Sequence, residues 1–164
     1  MSNLPADVLD RPAPEVARWL ALVRLHDLDR LRPALDDAHD GHAADELHDF
    51  RVALRRLRSV IRAHRAELDD SVSTKTRRRL QRLARASAPS RDATVHLAWL
   101  AEQEKDVTAD QSPGVAWVRR QIRKDRRAGD RQLEQEIERD YARVSDRLHE
   151  KLSRYAEVHE LEHD

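Results

Sequence analysis

The chain has no cysteine, only three glycines and 4% aromatic residues in 164 positions. Without cysteine, disulfide scaffolds, zinc ribbons and thiol catalysis are excluded. Three glycines leave no material for a phosphate-binding loop or a dinucleotide fingerprint, and little for the tight turns of a sheet. A classical nucleotide enzyme is therefore not expected. No segment resembles a secretory apolar region, and no apolar run reaches the ~18 residues of a membrane span. The expected place is the cytoplasm, with no membrane contact.

What the chain has is charge and helix-forming residues. Charged residues make up 38% and apolar residues 39%, the latter dominated by Ala and Leu. That mixture at helical spacing predicts an all-α fold, an antiparallel four-helix-type bundle with solvated outer faces. Disorder would suit the composition too, but the regular recurrence of Leu, Ile and Trp argues against it.

The formal net charge is zero, from 31 basic and 31 acidic residues. Its distribution is uneven: residues 1–47 sum to −5, residues 48–91 to +9 and residues 92–164 to −4, with a further basic stretch over 115–131. Of the 31 cations 27 are Arg. The planar guanidinium fork matches phosphate oxygens bidentately and stays charged at physiological pH.

Residues 1–13 read as a flexible lead-in, residues 14–158 as one helical domain and residues 159–164 as a frayed tail. About five helices are expected. The first runs from Glu15 to about Ala38, with Pro33 kinking or ending it. The second spans about 45–68, and a third is capped by Ser71 or Ser73 and reaches Ser87. A break over Ser87–Ser90 precedes a fourth helix to about Lys105. From Val115 onward one very long helix carries a seam of Val118, Ile122, Leu133, Ile137, Tyr141, Val144, Leu148, Leu152 and Tyr155, with Gly129 as a weak point or kink. Trp19, Trp99 and Trp117 are expected in apolar seams or at their margins.

The second helix is the most informative. Leu47, Phe50, Leu54, Leu57, Ile61 and Leu68 fall in one apolar stripe. His48, Arg51, Arg55, Arg58 and Arg62 form a second stripe, five donors along ~20 Å of one ridge. Like charges three and four residues apart repel, so the ridge costs stability unless something anionic faces it. Lys75, Arg78, Arg82 and Arg85 repeat the device on the third helix. Arg119, Arg123, Arg126 and Arg127 open the long helix in the same way. A single basic stripe is most often only a solvated face. Three of one sign, each beside a core stripe, instead point to convergence on one groove for a linear polyanion.

The run His48-Asp49-Phe50-Arg51-Val52-Ala53-Leu54-Arg55-Arg56-Leu57-Arg58 resembles the signature helix of the CHAD domain, the conserved histidine α-helical domain. Arg91-Asp92-Ala93-Thr94-Val95 resembles the Arg-Asp pair that opens a later helix of that family, and the resemblance covers about residues 18–158. It departs at Thr94, where the family often has a second Asp, and at Ala88-Pro89, where it has Gly. The resemblance implies an all-α fold of two pseudo-symmetric four-helix bundles, of which this chain shows one half, and non-catalytic binding of inorganic polyphosphate in a basic groove. Carried over by position, the ligands are His48, Arg51, Arg55, Arg56, Arg58 and Arg62, then Lys75, Arg78, Arg82 and Arg85, then Arg119, Arg123 and Arg126. No cofactor, metal or catalytic residue is implied. His48 among arginines suits a phosphate donor and not a metal ligand. Residues 148–164 show no second signature helix, so a homodimer is expected to rebuild the two-bundle architecture, in association with polyphosphate granules.

Two other readings stay open. Nucleic-acid backbone binding uses the same charge, although single-strand readers stack bases on exposed aromatics. A helical adaptor for an acidic protein is compatible with the same basic face. His159 and His163, one turn apart at the terminus, are a weak metal pair.

Overall fold

In a computed structural model that describes residues 10–37 and 43–154, helices account for nearly all of the described chain and no strand occurs among the described residues. They are α1 (Ala13–Asp37), α2 (Ala43–Ala63), α3 (Thr74–Ala86), α4 (Ala88–Gln103), α5 (Ser112–Glu136) and α6 (Ala142–Ser153). Helices α3 and α4 are separated only by Ser87, and a π-helical turn, Ile137–Tyr141, joins α5 to α6. The six therefore behave as four rods, as an antiparallel all-α bundle requires. Of the long helical seam foreseen from Val115 onward, the part from Leu133 to Leu152 is buried, on α5, the π turn and α6, whereas Val118 is exposed and Ile122 half-buried.

The core is built by the stripes that periodicity selects. Leu25 and Leu28 of α1, Phe50, Leu54 and Leu57 of α2, Leu80 and Leu83 of α3, and Leu148 and Leu152 of α6 are each at most 2% exposed. Full burial of one such side chain contributes about 1.5–3 kcal/mol. The Phe50 and Tyr141 rings tilt against each other with centroids 6.2 Å apart. Helix α1 packs on α2 and α6, while α3 packs on α2 and on the chain around the π turn.

Helix α1 does not end at Pro33. Leu28 on one side of the proline is fully buried, and Leu31 and Leu35 also pack on the core. The helix is thereby held through the lost backbone bond and continues to Asp37. Helix α2 stops at Ala63, short of Leu68, because the following turns are tied down otherwise. The guanidinium of Arg18, itself 4% exposed, reaches from α1 to Asp70 at 2.9 Å and to Ser71 Oγ at 3.2 Å. With Ser71 so engaged, Ser73 caps α3, its Oγ accepting from the Thr76 amide at 3.2 Å. The break at Ser87–Ser90 shrinks to one residue, since Ser87 keeps helical dihedrals (φ −77, ψ −10) and Pro89 sits in the first turn of α4. There its missing N–H leaves no intrahelical bond unmade.

Two expectations fail in the hairpin of α4 and the first half of α5. Gly129 is neither a weak point nor a kink. It is where α4 starts against α5, and a Cβ there would lie 2.6 Å from the Ser90 nitrogen. The large apolar side chains are also not all in seams: Trp99 is 61% exposed and Trp117 59%, with Val95 and Val118 exposed as well. Helix α4 packs chiefly on α5 and contributes nothing to the main core cluster, so two helices alone cannot cover the outer sides of the pair. Trp19 is half-buried, as a margin position should be. Tyr155, His159 and His163 lie outside the described residues, as does most of the expected lead-in.

Candidate anion-binding groove

Helices α2 and α3 run antiparallel, which brings their basic edges together. On α2, His48, Arg55, Arg56 and Arg62 are exposed, while Arg51 and Arg58 are half-buried between the helices. Arg51 Nη1 donates to Ser87 Oγ at 3.3 Å, and that hydroxyl donates to the Ala84 carbonyl at 2.9 Å. The one-residue break between α3 and α4 thus fixes one end of the arginine ridge.

Burial lowers the pKa of the Arg51 guanidinium from its ordinary value; Asp92 opposes this, while Arg91 and Arg55 add to it. Burial likewise lowers that of Arg58, and so do Arg62 beside it and Arg85 across on α3. Both stay charged, because an arginine loses its proton only far above neutrality. Cations from two helices thus lie near one another here, with Asp92 the acid acting on Arg51.

Further along, the two helices open into a cleft of about 470 Å³. Arg55, Arg58 and Arg62 line it from α2, Arg65 from the turn that follows, and Arg77 and Gln81 from α3, over Ile61 and Leu80. Arg77 is tied to the exposed Asp69 at 3.1 Å. Arg55, Arg58, Arg62, Arg65, Arg78 and Arg85 form no ion pair among the described residues. Guanidinium forks without carboxylate partners can each grip phosphate oxygens in pairs. The cleft lining holds no nucleophile paired with a base.

The other expected ligands sit elsewhere. Arg82 turns away from α2: its Nη2 is hydrogen-bonded to Asp140 and its Nε lies 3.7 Å from Glu136. Lys75 is exposed in the first turn of α3. Arg119 is ion-paired with Glu104, and Arg126 lies 3.9 Å from Asp130. Arg123 lines a separate concavity whose walls come from α5 alone. Of the α3 ridge only Arg85 approaches the α2 ridge, beside Arg58, and the α5 cations border their own surface.

Sequence reading missed three cations at the groove. Arg65 follows Arg62 by three residues and continues the same ridge, so its signal was present. Arg91 was noted only in the Arg-Asp pair and Arg77 not at all, because their approach to α2 depends on the chain continuing through Ser87 and on the path of the turn before α3. A second polar cluster has a mechanical role. Asp29 of α1 accepts from Tyr141 Oη at 2.6 Å and Ser145 Oγ at 2.8 Å, and its other oxygen lies 2.7 Å from His149 Nε2. Burial and the Asp29 carboxylate push the Tyr141 phenol well above its ordinary range. Ser145 donates to the carboxylate and not to the imidazole, so the three make a clasp between α1 and α6 and no nucleophile is activated. Among the described residues no group of three or more His, Cys, Asp or Glu is arranged for a metal ion.

No curated protein and no solved structure matches this chain. A family model does, and its match includes the whole of α2 and α3, the two helices that form the groove. With that match covering residues 23–163, the chain belongs to the CHAD domain family.

Proposed function

We propose that the α2–α3 groove binds inorganic polyphosphate and performs no chemistry on it. Family membership supports this, since CHAD domains are known for polyphosphate binding. The observation that carries it is the meeting of Arg58 and Arg85 across the groove with Arg62 beside them and no acid paired to any of the three. Like charges held this way oppose folding by a few tenths of a kcal/mol per pair, and a linear polyanion removes that penalty. The chain of phosphates would run along the antiparallel helices, from Arg51 and Arg91 past Arg55, Arg58 and Arg85 to Arg62 and Arg65. His48, Arg56, Lys75 and Arg78 serve its rim.

Calorimetric titration with long-chain polyphosphate tests the assignment. Arg58→Glu/Arg62→Glu should abolish measurable binding, whereas the remote exposed pair Arg143→Glu/Arg147→Glu on α6 should retain most of it. Equal losses in both would overturn it. The groove is open on its outer side, and a second copy closing over it would double the contacts per phosphate, so the dimer belongs to the same proposal. Light scattering should show a dimer at tens of micromolar, with or without polyphosphate. A strict monomer under both conditions removes the dimer.

A further inference from the structure

The outer face of α5 carries Arg119, Arg120, Arg123, Lys124, Arg127 and Arg131, which line one open concavity of about 560 Å³. Arg119 is held by Glu104. The other five make no ion pair among the described residues. Nothing from α2 or α3 lines this surface, so it is separate from the groove above.

Trp117 stands at the N-terminal end of the same face and is 59% exposed. A helix advances about 100° per residue, so Lys124 and Arg131, seven and fourteen positions on, lie within about 40° of Trp117, and Arg120 within about 60°. The indole thus borders one edge of the cation strip, nearest Lys124, Arg131 and Arg120, with Arg127 about 80° and Arg123 about 120° round the helix. The buried side of α5 is formed by Gly129 and Leu133. Trp117 fills no core space that would account for it. Inorganic polyphosphate has no π-face and gains nothing from an exposed indole. An unpaired base does, and aromatic platforms beside a track of cations are how sequence-tolerant single-strand binding is built.

We propose that this face of α5 binds single-stranded nucleic acid, with Trp117 stacking on a base and Arg120, Lys124, Arg127 and Arg131 contacting successive phosphates. From Trp117 to Arg131 the face extends ~21 Å, room for several nucleotides. A duplex keeps its bases stacked on one another and presents only the phosphate contacts, so single strands are preferred. The proposal stands apart from polyphosphate binding in the α2–α3 groove.

Fluorescence anisotropy with a labelled oligo(dA) of about twelve nucleotides tests it. Trp117→Ala should weaken binding at least about fivefold and Trp117→Phe much less, as stacking of one base predicts. Arg120→Ala/Arg127→Ala should weaken it and flatten its salt dependence. In a Trp19→Phe/Trp99→Phe background, the emission of Trp117 should be quenched at saturation. The groove pair Arg58→Glu/Arg62→Glu should leave oligonucleotide binding in place, so failure of the polyphosphate reading and failure of this one are distinguishable. The proposal is overturned if Trp117→Ala binds as the wild type does, or if duplex DNA competes as well as single-stranded DNA at equal phosphate. Loss of oligonucleotide binding in the groove pair alone would overturn it too. Trp117 is exposed and outside the core, so its substitution does not endanger the fold; circular dichroism of each variant checks this.

Discussion

Helix α3 holds two populations of arginine within three turns, and they have opposite fates. Arg79 and Arg82 face the chain around the π turn, where Asp140, 3% exposed, takes Arg79 Nε at 3.0 Å and Arg82 Nη2. Arg78 faces solvent and Arg85 the α2 edge beside Arg58, and neither has an acid among the described residues. Burial alone would raise the Asp140 carboxyl, but the hydrogen bond and charge of Arg82 and the charges of Arg79 and Arg139 outweigh it and hold the group below the usual carboxylate range. The first pair of arginines is structural and the second is available to a ligand. Sign and number of charges do not separate these roles; the group that faces each cation does.

The largest effect that would sharpen this contrast is on Asp140. Asp140→Ala leaves the buried Arg79 without a counter-charge, and urea denaturation should show a loss of about 3–5 kcal/mol. The pH dependence follows from the direction of the shift. The folded carboxyl titrates below the unfolded one, whose ordinary value is about 3.9, so its stabilisation is complete above that value and is lost as pH falls through the folded pKa. The wild type should therefore lose more stability than Asp140→Asn between about pH 5 and 2. Equal slopes would remove Asp140 from the account.

A smaller loss is expected where α4 crosses α5. Gly129→Ala forces a methyl against the backbone of Ser90 and should cost about 1–3 kcal/mol in the same assay. Gly114→Ala, with nothing within 4 Å of the added carbon, should stay within about 0.5 kcal/mol of wild type. The smallest effect separates groove from core most clearly. Arg58→Ala/Arg62→Ala should leave stability unchanged or raise it by about 0.2–0.5 kcal/mol through relief of repulsion, although Asp140→Ala removes only one charge and is strongly destabilising.

Much of this arrangement was legible from residue spacing. The apolar stripe of α2 is buried as its periodicity requires, with Leu47, Phe50, Leu54, Leu57 and Ile61 all in the core, where Leu68 of the following turn joins them. So is the C-terminal seam from Leu133 to Leu152. The basic edge of α2 was readable too, whereas of the α3 ridge only Arg85 meets it. What was not readable depends on contacts between distant parts of the chain. Arg82 has the same spacing as Arg78 and Arg85, and only a carboxylate 58 residues away decides its role. The direction of that carboxylate in turn depends on the π turn, whose extra residue per turn leaves no signature in a helical pattern. Trp99 and Trp117 show helical spacing like any seam residue, but their outward direction follows from α4 having one principal helix to pack on. Spacing specifies faces, and tertiary contacts specify which faces are covered.

The central claim is that the unpaired groove cations, and not the total of 31 basic residues, hold the polyanion. The most direct test is the slope of log affinity for polyphosphate against log salt concentration. Removing one cation that neutralises a phosphate should lower its magnitude by roughly 0.7, the value for single-stranded polyanions. Arg58→Ala/Arg62→Ala should therefore reduce the slope by about 1.4, and the α6 pair Arg143→Ala/Arg147→Ala should leave it unchanged. An unchanged slope in the groove variant, or the same reduction in both, would contradict the account.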